Sequence, residues 1–168
     1  YIIAGLSTAW CRCRLGPLPA VSVAPKRVRP YRHQQPLLMN QHDIRILDQV
    51  FLRGPNRWSY RPALEALVDI GTLEEFPSNT LPGFVPRLVE WLPGLRKHEC
   101  SYEEPGGFVR RLEEGTWVGH ILEHVTLELQ TQAGRPAGFG RARSTATTGI
   151  YHVVVRTTQE DLTRTCLL

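Results

Sequence analysis

Apolar residues that alternate or recur at helical spacing predict a mixture of strands and helices from residue 44 onward. The apolar positions of residues 44–52 predict a strand, interrupted by the polar pair Asp48-Gln49. Residues 63–70 fit an alternating strand and also one face of a helix, so both interpretations stay open. Residues 82–95 predict one short helix, because a proline suits its first turn and Pro93-Gly94 marks its end.

The strongest helical signal lies between residues 106 and 133. Phe108 begins one apolar helical face, which ends at Gly115. Thr116 is then placed to cap a second helix, whose apolar residues recur every four positions. Gly134 predicts the end of that second helix.

A glycine-rich loop at residues 138–140 separates this helix from a β-rich run at residues 150–155, which predicts a further strand. The elements do not repeat, and strands and helices are not regularly alternated. The predicted class is therefore α+β, a small mixed domain in which a few strands pack against two or three helices.

The basic residues are unevenly distributed along the chain. The net charge is +4, yet residues 1–38 hold six of the 20 basic residues and no acidic residue, which leaves 14 basic against 16 acidic residues, a net of −2, in residues 39–168. We therefore expect no nucleic-acid partner for the folded part. Residues 1–38 are rich in proline and arginine, and we predict a disordered or artefactual leader that adds nothing to the fold, with a targeting peptide as the alternative. The domain is predicted to span residues 39–168, beginning at Met39.

Composition argues against a membrane protein and against a disulfide-rich protein. No stretch approaches the roughly 18 apolar residues that span a bilayer, so we expect no membrane partner. The four cysteines form no C-x-x-C pair and no evident disulfide framework. This usage predicts a reducing, cytoplasmic location.

An H-x-x-E-H sequence at residues 120–124 carries the candidate chemistry. His120 and His124 are four residues apart, so they lie on one face of a helix and can bind the same metal ion. Glu123 is rotated by about 100° from His124, beside the ligand row. In zinc peptidases with this motif the glutamate acts as the general base. We therefore predict His120 and His124 as ligands of Zn²⁺ and Glu123 as the catalytic residue.

The sequence alone does not determine the third ligand of the metal ion. Glu128 continues the row and is our first choice, although it lies about 12 Å along the helix axis from His120. It could reach an ion only near His124, or could instead orient His124 from outside the ligand set. His98 and Cys100 are alternatives on a separate segment. A structural interpretation also remains, in which both helix histidines pack beside the apolar stripe and hydrogen-bond to carboxylates.

A series of short motifs runs through residues 44–156 without a large gap. It comprises Arg53-Gly54-Pro55-Asn56, Trp58-Ser59, Leu81-Pro82-Gly83-Phe84, Leu92-Pro93-Gly94-Leu95, His98-x-Cys100-Ser101, Gly106-Gly107-Phe108, Glu114-Gly115-Thr116, Gly119-His120-Ile121-Leu122-Glu123-His124, Leu127-Glu128-Leu129-Gln130, Phe139-Gly140-Arg141-Ala142-Arg143 and Gly149-Ile150-Tyr151. In its residues and their order this series resembles the N-terminal domain of cyanophycin synthetases. Residues 1–38 match nothing in that family.

The resemblance implies a substrate. Cyanophycin synthetases use ATP to make a polymer with a poly-aspartate backbone and an arginine on each side chain, and the parent enzyme is expected to be a homo-oligomer. Their ATP-grasp and Mur-ligase-like domains follow the N-terminal domain. This sequence contains no glycine-rich phosphate loop ending in Lys-Ser/Thr, so we expect ATP and Mg²⁺ to serve only the missing domains and this chain to have no ligase activity.

Two functions follow as expectations. The first is that the chain binds the growing Asp-Arg polymer, multi-L-arginyl-poly-L-aspartate. The alternative, which the resemblance implies for some family members, is a metal-dependent hydrolase that cuts cyanophycin into primers at the H-x-x-E-H site. A substrate with both guanidinium and carboxylate groups needs a surface of both signs. Arg141 and Arg143 are the predicted substrate-binding residues, because we expect them to sit in a glycine-rich loop, where function often concentrates.

Overall fold

The computed structural model describes residues 44–168, so the predictions for the leader and for Met39 lie outside the described residues. The strands are β1 (Arg45–Leu52), β2 (Ala63–Asp69), β3 (Gly140–Ser144) and β4 (Ile150–Arg156). The α-helices are α1 (Phe84–Trp91), α2 (Gly107–Glu114), α3 (Val118–Gln132) and α4 (Glu160–Leu167). Short 3-10 helices cover Gly71–Glu75, Ser78–Thr80, Pro93–Lys97 and Cys100–Tyr102. The predicted α+β class is confirmed.

The four strands form one antiparallel sheet with the order β1-β2-β4-β3. The register of β1 against β2 shifts between Ile46 and Asp48, at the polar interruption of the predicted strand. The run of residues 63–70, which fitted two patterns, forms strand β2 as far as Asp69. It does so because Leu64, Ala66 and Val68 all enter one apolar cluster, as a period of two requires.

Helix α3 lies between two apolar clusters. One cluster joins β2 and β4 to α4, and Leu122 of α3 packs against it. The other combines Leu95, Phe108 and Leu112 with Ile121 of α3. Because α3 is covered on two sides, polar residues along it, such as Gln130, are buried as well. None of the helices within residues 44–168 has the length and hydropathy needed to cross a membrane.

The prediction of one helix over residues 82–95 is wrong at both ends. Helix α1 begins only at Phe84, because Gly83 has a left-handed backbone with φ of 72°. It ends at Trp91, and a separate 3-10 helix starts at Pro93. Proline disfavours helical geometry in the residue before it, which is why Leu92 leaves the helix.

Three further features differ from the prediction. Thr116 does not cap α3: the N-cap is Trp117, with no side-chain cap bond. The edge strand β3 and the helix α4 were not predicted. Arg141 and Arg143 therefore lie on a strand rather than in a loop.

The prediction that Gly134 follows the second helix is confirmed, with φ of 74° at this glycine.

Candidate metal centre

Helix α3 places the two predicted histidine ligands on one face. The rings of His120 and His124 have centroids 4.9 Å apart. His124 is buried against α2, where its ring stacks on Phe108, and His120 meets the same phenylalanine edge-on. The predicted spacing therefore brings both imidazoles to one place at the edge of an apolar cluster.

Cys100 completes a group of three possible ligands. Its Sγ lies 3.4 Å from Nε2 of His120. One donor atom from each of Cys100, His120 and His124 falls within 4.8 Å of the others, and these three residues are called the metal centre below. One thiolate and two imidazoles form a donor set that zinc takes in proteins, with a fourth position left open in catalytic sites.

The backbone holds Cys100 in place at some conformational cost. Cys100 has φ of 53°, a left-handed conformation that non-glycine residues rarely adopt. The preceding segment is tied to α2, because Phe108 donates its N–H to the carbonyl of His98 at 3.0 Å. Gly107 permits this approach, since a Cβ there would overlap the carbonyl oxygen of Glu99. Strain of this kind concentrates at functional sites.

The surroundings keep both helix histidines neutral. Burial lowers the pKa of His120 to about 4, and the positive charge of Arg111 adds to the effect. The pKa of His124 is also lowered, first by burial and then by His120 and His98. Thr116 Oγ1 lies 2.9 Å from Nδ1 of His120, which leaves Nε2 facing Cys100. Neutral imidazole is the form that binds metal ions.

Glu123 lies on the side of α3 that faces strand β3. It is buried, and a Cβ added at Gly140 would come within 2.6 Å of its Cγ. Burial raises the pKa of Glu123 to about 7, while a backbone hydrogen bond from Ala142 and the charge of Arg141 oppose the rise. A carboxyl group with a pKa near neutrality is suited to act as a general base at physiological pH.

The metal centre and Glu123 open into one cavity of about 890 Å³. The 3-10 helices Pro93–Lys97 and Cys100–Tyr102, the helices α2 and α3, and strand β3 all contribute to its wall. The charged side chains of both signs that line it beside Glu123 are Lys97, Glu99, Arg111 and Arg141.

The other residues predicted from the sequence lie outside the metal centre. Glu128 is buried with Oε2 3.3 Å from Nε2 of His98, and it is not in the metal centre. His98 is also outside the metal centre, and its Nδ1 lies 2.9 Å from Nδ1 of His124. Both arginines are exposed, and among the residues that the structure describes Arg141 lines the cavity whereas Arg143 does not. The ligand role of Glu128 and the binding role of both arginines stay predictions.

Sequence reasoning missed several residues that shape the site. In the sequence Phe108 is one position of an apolar helical face, Thr116 is a predicted helix cap, and Gly140 is part of a predicted glycine-rich loop. The two glycines at 138 and 140 were the available signal, because glycine permits the backbone to approach a neighbouring helix closely.

Comparison with known proteins agrees with the family resemblance of the sequence motifs. A family model described as a cyanophycin synthase-like N-terminal domain matches residues 65–167. Cyanophycin synthetases from Nostoc sp. and Trichormus variabilis are each 52% identical over 123 residues, and that from Geminocystis herdmanii is 48% identical over the same length. Each alignment covers 72% of this chain but 14% of the relative, so the chain spans about a seventh of the length of these proteins.

Proposed function

Because the chain belongs to the family of cyanophycin synthase-like N-terminal domains, we propose that it binds cyanophycin and cuts it as a metal-dependent hydrolase. One observation carries the proposal: Cys100, His120 and His124 converge within 4.8 Å, and Glu123 opens into the same cavity. The substrate is taken from the names of the relatives, which align with 72% of this chain.

The donor set fits zinc. Three protein ligands of the types Cys, His and His match catalytic zinc sites, which keep one position for water or substrate. A zinc ion bound there supplies Lewis-acid polarisation of the substrate carbonyl and lowers the pKa of water to about 7. The neutral state of His120 and His124 favours this binding, because no proton has to leave either ring.

Glu123 is the proposed general base. Its carboxylate takes a proton from the attacking water, whose oxygen bonds to the carbonyl carbon of a backbone amide. The C–N bond breaks, and Glu123 returns the proton to the leaving nitrogen, so the products are a carboxylic acid, which loses its proton at neutral pH, and an amine, which gains one. Proton transfer of this kind contributes roughly 10²- to 10⁴-fold to the rate.

The lining of the cavity supports polymer binding. Lys97, Arg111 and Arg141 can pair with carboxylates of the polymer, and Glu99 can pair with its guanidinium groups. A wall of mixed sign favours a substrate that carries both charges over one that carries a single sign.

ATP-dependent synthesis is not part of this proposal. The chain spans 14% of the length of its relatives, and we assign ATP and Mg²⁺ to the parts of a parent synthetase outside the match. A cytoplasmic location and a homo-oligomeric parent belong to the same proposal.

The test is cleavage of purified cyanophycin by the zinc-loaded chain, followed by the length distribution of the polymer and by the count of new amine ends. Glu123→Gln is expected to abolish cleavage while zinc binding stays nearly unchanged, and His120→Ala is expected to lose both. Glu113→Gln, an exposed change on α2, is the matched control and should cleave normally. Cleavage at the wild-type rate by Glu123→Gln, or purified wild type that binds no zinc, would contradict the mechanism.

A second candidate, polymer binding without cleavage, is favoured by the charged lining of the cavity. Co-sedimentation of the chain with insoluble cyanophycin, with a chelator present to remove metal, isolates this function. Binding that persists under chelation together with no cleavage in zinc would leave polymer binding as the function.

A further inference from the structure

A chain of contacts runs from the metal centre to a buried carboxylate. Nδ1 of His124 lies 2.9 Å from Nδ1 of His98, and Nε2 of His98 lies 3.3 Å from Oε2 of Glu128. The other carboxylate oxygen, Oε1, accepts a hydrogen bond of 3.1 Å from Nε2 of Gln132. His124 and Glu128 are both buried, so little water competes for these contacts.

Packing fixes the position of the carboxylate. Glu128 lies directly against the backbone of Gly94, and a Cβ at that residue would overlap both of its oxygens. Gly94 belongs to the 3-10 helix Pro93–Lys97, which also supplies Leu95 to the apolar cluster beside α3. The carboxylate therefore cannot shift far without moving part of the core.

The direction of the hydrogen bonds follows from the groups involved. A carboxylate only accepts hydrogen bonds, so Nε2 of a neutral His98 carries the proton that faces Glu128. Nδ1 of His98 then has a lone pair, and it accepts the Nδ1–H of His124. This arrangement leaves Nε2 of His124 unprotonated and free to bind a metal ion.

We propose that Glu128 and His98 are positioning residues that hold His124 in the tautomer protonated on Nδ1, so that Nε2 keeps its lone pair for a metal ion. The inference rests on the metal centre of the proposed function, and it gives Glu128 a role through His98 rather than as a ligand. His120 has a parallel arrangement, because its Nδ1 is bonded to Thr116 Oγ1. Groups that hydrogen-bond to metal-binding histidines fix the ring and typically change metal affinity 10- to 100-fold when they are lost.

The first experiment needs no variant. Long-range ¹H–¹⁵N NMR spectra of the metal-free wild type distinguish protonated from unprotonated ring nitrogens. We expect His124 to be protonated on Nδ1 and His98 on Nε2. His124 protonated on Nε2 would overturn the proposal directly.

The second experiment measures zinc affinity by competition with a chelator. Glu128→Ala and His98→Phe are each expected to weaken zinc binding by about 10- to 100-fold. Glu128→Gln should recover most of the loss, because its amide oxygen can still accept from His98. The exposed control Glu113→Gln should bind zinc as wild type does.

Two results of the affinity measurement would contradict the proposal. Wild-type affinity in Glu128→Ala would show that the contact with His98 does not orient the ligand. A loss in His98→Phe as large as that in Cys100→Ser would show that His98 is itself a ligand. Neither experiment uses polymer cleavage, so a chain that cuts no cyanophycin refutes the proposed function and leaves this inference standing.

Discussion

The ring of Phe108 lies nearly parallel to the ring of His124, with centroids 3.8 Å apart and an interplanar angle of 16°. Phe108 is completely buried and belongs to the apolar cluster of α1, α2 and α3. One face of the His124 imidazole is thus part of the hydrophobic core. Because protein cores are close-packed, this contact restricts how far the His124 ring can tilt.

Phe108→Ala is expected to lower the free energy of unfolding by about 3–5 kcal/mol, as truncation of a buried phenylalanine usually does. It should also weaken zinc binding, since the cavity left behind frees the His124 ring. Phe108→Leu keeps apolar volume and should recover much of the stability. Urea unfolding of the metal-free variants and zinc titration of the folded ones measure the two effects. A loss below about 1 kcal/mol in Phe108→Ala would show that the phenylalanine does not anchor the site.

Gly140→Ala is expected to displace the proposed base. A Cβ at this residue would lie 2.6 Å from Cγ of Glu123, closer than such carbon atoms can approach. Polymer cleavage should fall strongly, while zinc affinity should change little because the atoms nearest to a Cβ at Gly140 all belong to Glu123. Gly138→Ala is the matched control, since a Cβ there meets nothing within 4 Å. Equal cleavage rates in the two variants would mean that Glu123 needs no fixed position.

The local pattern of the sequence predicted the part of the site that lies on one helix. Four-residue spacing alone is enough to bring His120 and His124 together, because the geometry of a helix is the same in every protein. The choice of Cys100 as their neighbour depends on how a 3-10 helix packs on α2. No local pattern encodes that packing, so Glu128, which continues the same helical row, was the first choice from sequence.

The missed strand and the misassigned cap have similar causes. Strand β3 has the sequence Gly-Arg-Ala-Arg-Ser, which lacks apolar alternation, and it is ordered by pairing with the apolar strand β4. Thr116 has the residue type of a helix cap, yet its hydroxyl contacts the ring of His120 one turn later. In both cases a contact distant from the local pattern decides the structure.

Arg141 and Arg143 should differ in their effect on polymer binding. Both are exposed on strand β3, but Arg141 lines the cavity and its charge acts on Glu123, whereas Arg143 does not line the cavity. Arg141→Ala is therefore expected to weaken co-sedimentation with cyanophycin more than Arg143→Ala does. Binding constants of the metal-free variants give the comparison. A larger loss in Arg143→Ala would move the binding surface from the cavity to the outer part of the sheet edge.

The pH dependence of stability provides a test of Glu123 that needs no substrate. Burial raises the pKa of its carboxyl group from 4.5 to about 7 in the folded chain. Below pH 4.5 the carboxyl is protonated in both the folded and the unfolded chain, so it does not lower the free energy of unfolding. As the pH rises from there to about 7, the unfolded chain ionises first, so folding requires a proton and stability falls. Above pH 7 the buried carboxylate lowers the free energy of unfolding by on the order of 3 kcal/mol.

Glu123→Gln removes this destabilisation, because the amide stays neutral at every pH. In chelator-treated protein, urea unfolding should show that the variant exceeds wild type by up to about 3 kcal/mol at pH 8, with a much smaller difference at pH 4.5. His120 and His124 have lowered pKa values and destabilise the fold as the pH falls, but they do so in both proteins and cancel from the difference. The exposed Glu113→Gln should show no such trend. A stability difference for Glu123→Gln that stays constant from pH 4.5 to 8 would mean that the carboxyl is solvated in the folded chain, and Glu123 would then lack the raised pKa that suits a base.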